Sequence, residues 1–337
     1  MQDFEIIKVL LLTTLSFIFT IAWTPILTHF LYKYKVGKPI RDTGATPIFS
    51  KLHAGKSGTP TMGGVLVWGT VLVFSLFFFL LPKIISNDFL KSLNFLTRSE
   101  TFLPLGVLVA TALVGLTDDY VDLKGKSKGG LTIKRRLLVY TLIALAGASW
   151  FYYKLGWDLF HVPFVGNIEL GWAYILAFVN ETDGLDGLAG GTLLTSYSAY
   201  GIIAFSLGKY DLATFCGVLA GALLAFLWFN INPARFFMGD TGAMSMGITL
   251  GVMAMLTNTP LILPIIGSVF VFESVSVIIQ ISSKKLRNGK KVFLSAPVHH
   301  HFEAIGWSEP KIVMRFWIIS AVSAGFGLAL FLLDKTF

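Results

Sequence analysis

Three carboxylates close an apolar run that starts at Phe102: the chain reads Leu116-Thr117-Asp118-Asp119-Tyr120-Val121-Asp122. Acids at the mouth of so apolar a segment must face water, pair with cations or hold a metal. On a helix Asp122 lies four residues from Asp118 and three from Asp119, so it can share a face with either. Hard carboxylate oxygens at that spacing suit Mg²⁺ or Ca²⁺ rather than a thiolate-seeking metal. The competing reading is that the acids only cap a helix and mark the bilayer surface.

The other polar clusters decide between the two. They are Lys56-Ser57-Gly58-Thr59-Pro60-Thr61-Met62-Gly63-Gly64, Asn180-Glu181-Thr182-Asp183-Gly184-Leu185-Asp186-Gly187, the stretch Asn230 to Asp240, and Pro297-Val298-His299-His300-His301. Asp118, Asp119, Asn180, Asp183, Asp186 and Asp240 offer oxygen ligands from separate loops, and Lys56, Lys134, Arg135 and Arg235 add fixed cations. Phosphoryl transfer needs that pairing: a metal on phosphate oxygens, cations offsetting charge, and a group that positions the nucleophile. Gly184, Gly187, Gly239 and Gly242 would let backbone approach a ligand. Gly-x-x-x-x-Gly-Lys-Ser/Thr is absent, so this is not a nucleotide-binding P-loop.

Each cluster has a structural alternative. Asn180 and Asp183 could cap a helix, and Asp240 could be the N-cap of the segment that follows it. The glycines could serve helix packing alone. Three consecutive histidines on a helix diverge by about 100° each, so they cannot all ligate one metal. One or two of them can bond phosphate or sugar, or exchange a proton near neutral pH. Phe237, beside Gly239, is the aromatic placed to stack on a base.

The chain that must position these groups has 337 residues, 54% of them hydrophobic and 14% charged. With a mean hydropathy of +0.72 and recurrent apolar runs of about 20 residues, it reads as an all-α polytopic membrane protein. Ten spans are expected, at 6–31, 61–81, 101–117, 137–153, 168–180, 191–207, 212–229, 243–259, 260–282 and 316–333, in a single domain over residues 1–337. Basic residues crowd the odd-numbered gaps: Lys33 to Lys56, Lys124 to Arg136, Arg235, and Lys284 to Arg315. The positive-inside rule puts those gaps in the cytoplasm, both termini outside, and every polar cluster on the cytoplasmic face. The net charge of +8 is thus an orientation and anionic-lipid signal, and no nucleic-acid partner is expected. The first residues are acidic where a cleavable signal would be basic. The lone Cys216 excludes an internal disulfide. Lys154 to Glu169 suggests a small outside hairpin, Asn258-Thr259-Pro260 an outside turn, and Glu273 is a deep acid paired within the bundle or facing a cavity.

Asp118-Asp119, Asn180-x-x-Asp183-Gly-Leu-Asp186-Gly-Leu-Ala, Asn230-x-Asn-Pro-Ala-x-x-Phe-Met-Gly-Asp240 and the histidine run resemble the polyprenyl-phosphate N-acetylhexosamine-1-phosphate transferase superfamily. Within it, Lys56-x-Gly-Thr-Pro-Thr-Met-Gly-Gly64, Ala296-Pro-Val-His-His-His-Phe-Glu303 and Gly306-Trp307-x-Glu309-Pro-Lys-x-x-x-Arg315-Phe-Trp317 are similar to the phospho-N-acetylmuramoyl-pentapeptide transferases. Glu181 departs from the pattern, where a less acidic residue is expected. The resemblance implies a bacterial cytoplasmic-membrane enzyme that joins UDP-N-acetylmuramoyl-pentapeptide to undecaprenyl phosphate with Mg²⁺, giving lipid I and UMP. It also implies a homodimer in membrane lipid.

On that resemblance Asp240 is the leading Mg²⁺ ligand, with Asn180 and Asp119 beside it. Asp118 deprotonates or positions the lipid phosphate, which attacks the β-phosphorus directly. Asp118, Asp119, Asp240 and His299 form the expected catalytic set. Lys56, Thr61, Lys134, Asn180, Asp183, Asp186, Asn230, Phe237, Gly239, Gln280 and His300 are expected to bind substrate. A two-step route with Asp240 as covalent nucleophile is the mechanistic alternative. A related transferase with another UDP-sugar, an ion-coupled transporter and a non-catalytic lipid-binding scaffold are the functional ones.

Overall fold

The computed structural model describes residues 2–34, 36–37, 58–97, 100–123, 159–169 and 188–336, with isolated helical positions at 138, 142, 145 and 149. Its elements in chain order are α1 (Gln2–Lys33), α2 (Val65–Ile84), α3 (Asp88–Ser92), α4 (Phe102–Leu123), β1 (Leu159–Val162), β2 (Gly166–Glu169), α5 (Leu188–Ser206), α6 (Tyr210–Asn230), α7 (Gly239–Leu256), α8 (Leu263–Ile266), α9 (Ser268–Leu286), α10 (Val298–Ala304) and α11 (Glu309–Thr336). Among the described residues six helices, α1, α2, α4, α5, α6 and α11, are long and apolar enough to cross a membrane. The chain is a multi-pass membrane protein.

A helix in hydrocarbon must satisfy its polar groups internally, and α1 shows how. The Thr20 and Thr24 hydroxyls donate back to the Ser16 and Thr20 carbonyls at 2.7 Å. Ser16 Oγ crosses to the Val218 carbonyl of α6 at 2.7 Å, and the Thr20 and Thr70 hydroxyls meet at 2.9 Å between α1 and α2. Close approach of α1 to α6 requires glycine, since a Cβ on Gly221 would sit 2.2 Å from the Thr13 carbonyl oxygen.

One end of the bundle is tied by buried polar contacts. Lys8 of α1, 3% exposed, reaches Asp211 at 2.9 Å and the Asn94 carbonyl at 3.1 Å. The Leu212 N–H donates to Glu100 at 3.2 Å, and Lys335 near the end of α11 donates to the Ser206 carbonyl at 2.5 Å. The first and last helices therefore meet the α5–α6 turn at one face. From that face α4 and α6 run to the opposite end, where they finish beside Asp118 and Asn230.

Several expectations need correction. The hairpin expected between Lys154 and Glu169 is present, β1 and β2 pairing antiparallel with Leu159 opposite Glu169 and Val162 opposite Gly166, but it takes residues 168 and 169 from the fifth expected span. Helix α4 does not stop at Thr117 but continues through the acids to Leu123. The ninth segment is broken at Gly267 into α8 and α9, and α11 begins at Glu309, seven residues before the expected 316. Helices α7 and α9 fall outside the six apolar spans. Asp240 and small polar residues dilute α7, while Glu273, Gln280, Lys284 and Lys285 dilute α9. The remaining residues of the fourth and fifth segments lie outside the described residues.

Candidate active site

The end of α4 and the start of α7 form the core of the site. Asp118 and Asp119 are both fully buried on the last turns of α4. Asp119 Oδ2 accepts a hydrogen bond from the Thr241 N–H at 3.1 Å. The first N–H groups of a helix lack intrahelical acceptors and attract negative charge, so Asp119 caps α7 from another helix. Asp240 is therefore not the N-cap: it lies inside the first turn, after Met238, which makes no side-chain cap. Thr241 completes the joint, its hydroxyl donating to the Ala112 carbonyl at 2.8 Å.

Glycine makes this approach possible. Gly239 has φ +72°, and a Cβ there would lie 2.6 Å from Asp119 Oδ2 and 2.7 Å from Thr61 Oγ1. A Cβ on Gly115 would meet the Asp240 carbonyl at 2.5 Å, and one on Gly64 would meet Gly242 Cα at 2.2 Å. Three backbones thus touch around Asp119, Thr61 and Gly239. The strand-like entry to α2 is held in the same place: Phe237 N–H donates to the Pro60 carbonyl, Gly63 N–H to the Phe237 carbonyl and Gly64 N–H to the Met238 carbonyl, each at 2.8 Å. Phe237, half-buried, sits in that ladder, so its backbone is held on both sides.

Asn230 ends α6 and shapes the loop after it. Its Nδ2 donates to the Phe236 carbonyl at 2.8 Å, while its Oδ1 is buried with no hydrogen-bond partner among the described residues. Asn232 reaches Glu309 at 3.1 Å and so links this loop to the start of α11. Arg235 lines an open groove with Pro25, Thr28, His29 and Tyr32, on the α1 side of the loop.

The histidines form a second centre. His299 Nδ1 lies 2.9 Å from Glu273 Oε2, His299 Nε2 3.1 Å from His300 Nε2, and His300 Nδ1 2.6 Å from Glu303 Oε2. His301 points elsewhere, its Nδ1 accepting from the Leu294 N–H at 3.3 Å, as the angular divergence along a helix requires. Helix α10 is seated by Phe302 stacked on Trp307, ring centroids 4.8 Å apart. Lys311 and Arg315 lie over the same indole at 4.8 and 4.3 Å. Gln280 uses its amide on the loop before α10: Oε1 accepts from the Val292 and Phe293 N–H groups at 3.0 Å, and Nε2 donates to the Phe293 carbonyl at 2.8 Å. As placed, it organises that loop.

Of the expected site residues, Thr61, Asp119 and Gly239 are brought into one cluster beside Asp118 and Asp240, Asn230 and Phe237 flank it, and His299 and His300 pair in the second centre. Lys56, Lys134, Asn180, Asp183 and Asp186 lie outside the described residues. Among the described residues no three His, Cys, Asp or Glu converge as a ready-made metal cage. Three participants were not anticipated as site residues: Thr241, Glu273 and Glu303. Glu303 was legible, because it stands three residues after His300 on a helix. Thr241 was not, because it acts through its backbone.

The profile of glycosyl transferase family 4 matches residues 101–258, and signature 1 of the phospho-N-acetylmuramoyl-pentapeptide-transferases matches residues 56–66. The phospho-N-acetylmuramoyl-pentapeptide-transferase of Geobacillus sp. (strain WCH70) is 38% identical over 327 residues, covering 93% of this chain and 95% of that protein. The chain belongs to the phospho-N-acetylmuramoyl-pentapeptide-transferase family. Other members agree: the protein of the same name from Chloroflexus aggregans is 38% identical over 98% of this chain and 91% of its own length. That from Bacillus subtilis is 37% identical over 95% and 97%. In this transferase the family 4 match begins just before α4 and ends just after α7, so it encloses the Asp119–Thr241 joint.

Proposed function

We propose that this transferase moves phospho-N-acetylmuramoyl-pentapeptide from its UDP carrier to undecaprenyl phosphate, forming lipid I and releasing UMP for peptidoglycan synthesis. The observation that carries the reading is the joint between Asp119 and the N-terminus of α7, which sets Asp118, Asp119 and Asp240 around a helix end that favours anions. Their oxygens are hard donors, and Mg²⁺ takes one or two carboxylates and completes its shell with water and substrate phosphate. The open donor set fits it. Asp240, with Asp119 and Asn180, would hold the ion, which when bound offsets charge on the diphosphate.

The chain's own groups do the rest. Asp118 orients the lipid phosphate for in-line attack on the β-phosphorus. General-base help adds little, since a phosphate monoester's second pKa lies near 6. Lys56 and Lys134 neutralise diphosphate oxygens, Asp183, Asp186 and Phe237 orient the nucleotide, and His299 and His300 contact phosphate or sugar. The chain acts as one catalytic domain of ten spans in the bacterial inner membrane, both termini outside, as a homodimer.

Purified protein supplied with radiolabelled UDP-sugar, polyprenyl phosphate and Mg²⁺ is expected to release UMP, and Asp240→Asn to lower the rate at least about 100-fold, the scale on which removing one transition-state charge contact acts. An Asp240→Asn protein as active as the parent would remove the assignment. A phosphorylated enzyme trapped without acceptor would replace direct displacement by a two-step route.

A further inference from the structure

Glu273 is 1% exposed on α9, far from the acidic cluster in sequence. It begins a series of four groups, Glu273–His299–His300–Glu303, joined by three contacts of 2.9, 3.1 and 2.6 Å. A hydrogen bond holds one proton between its two heavy atoms. Three bonds in series need three protons, and two neutral imidazoles with two ionised carboxyls bring two. With two protons, one of the three contacts has none in it. If both rings donate outward through Nδ1, the empty contact is the central one, with two Nε2 lone pairs opposed across 3.1 Å. A carboxyl stands at each end of the pair, and Glu273 Oε1 is buried with no hydrogen-bond partner among the described residues, so this carboxyl's one described donor is His299.

We propose that Glu273 is a positioning residue for the transfer reaction. It fixes His299 with its proton on Nδ1 and, with Glu303 at the far end, keeps one shared proton between the two Nε2 atoms. This rests on the functional reading above. When the Nε2–Nε2 contact opens toward bound diphosphate-sugar, one ring presents an N–H donor for a phosphate oxygen and the other a lone pair for a hydroxyl. No substrate bond is made or broken by the pair. Among the described residues, the charged groups on the elements packed about it are Glu273 and, in its last turn, Lys284 and Lys285 of α9, His301 and Glu303 of α10, and Glu309, Lys311, Arg315, Asp334 and Lys335 of α11, with Lys311 and Arg315 drawn over Trp307.

The test is a double-mutant cycle on UMP release, with the histidine tautomers read independently. Glu273→Ala is expected to lower kcat about 10–100-fold, the scale found for partners that orient an imidazole at a metal, with KM within about twofold. In a His299→Ala background the same change is expected to have no further effect, because Glu273 acts through that ring. Glu273→Gln keeps an acceptor for Nδ1–H and loses the charge, so its kcat is expected between parent and Ala. In the ¹⁵N-histidine spectrum of the parent, His299 is expected protonated at Nδ1, and Glu273→Ala is expected to abolish that preference. Additive losses in the cycle, or an Nε2–H tautomer at His299 in the parent, would overturn the proposal. A parent that releases no UMP would sink the transferase reading instead, while the spectrum still decides the tautomer.

Discussion

Asp119 on α4 and Thr241 on α7 are 122 residues apart and share one hydrogen bond of 3.1 Å, carboxylate to backbone N–H. That bond makes the start of one helix depend on the end of another. Asp119→Ala removes a cap and leaves a buried N–H unsatisfied, for an expected loss of about 1–3 kcal/mol. Asp119→Asn keeps an acceptor and is expected to lose less. Thermal unfolding in detergent, with UMP release in parallel, checks both. Equal stability of the parent and Asp119→Ala would show that the joint does not hold α7.

Gly64→Ala and Gly242→Ala are expected to damage folding severely. A Cβ on Gly64 would stand 2.2 Å from Gly242 Cα, backbone against backbone, where no side chain can yield. Gly106→Ala is the control on α4, since its Cβ would meet nothing within 4 Å. It should leave yield and activity unchanged, or improve stability slightly because alanine favours helix. Monodispersity on size-exclusion chromatography separates the three.

Asn230→Asp replaces the amide donor facing the Phe236 carbonyl with an acceptor. The 2.8 Å hydrogen bond becomes a repulsion, and the loop that carries Phe237 and Gly239 should move. The expected outcome is a larger rise in KM for the UDP-sugar than Asn230→Ala produces, since alanine deletes the bond without opposing it. Steady-state kinetics of the two variants test the order.

The hairpin should detach as pH rises. His161 Nε2 meets Asp334 at 2.5 Å, its Nδ1 meets Asn167 at 2.9 Å, and its backbone N–H donates to Asn258 at 3.2 Å. Partial burial works against a charge on His161, but the hydrogen bonds it donates to Asp334 and Asn167 and the Asp334 charge outweigh it and raise its pKa above the ordinary value. A raised folded-state pKa means stabilisation that is complete below the unfolded value of about 6.5 and lost as pH climbs through the folded value. Proteolysis within 159–169 should therefore quicken over that window, and Asp334→Asn should flatten the profile. A parent profile already flat from pH 5 to about 9 would contradict it.

Much of this was legible because membrane sequences are strongly constrained. Apolar length marked α1, α2, α5 and α6 to within a few residues, and the hairpin followed from Pro163 and Gly166-Asn167. The boundary of α4 was misjudged because hydropathy falls at Asp118, whereas the helix continues wherever buried partners receive the acids. Segment nine was read as one piece because Gly267 carries no hydropathy signal. Asp240 was open to reading as a cap since capping was judged from neighbours in sequence; the actual cap comes from α4, and no local pattern shows it. The turn at Asn258 looked inert but receives the hairpin. The bonds of Gln280 to the 292–293 backbone had no signal in the sequence, because they depend on how that loop folds back on α9.

The buried ammonium near the start of α1 has a mechanical consequence. With Lys8 held at Asp211, Ser16 bonded to Val218 midway and the Tyr32 hydroxyl on the Arg235 carbonyl at 2.8 Å, three rungs lock this helix to α6 and the loop beyond it. Sliding by a single turn, about 5.4 Å, would drag a cation into hydrocarbon and strip all three. The first helix is thus a rigid strut rather than a piston, and a load pulling on its leading end would be felt along α6 as far as the loop that carries Phe237.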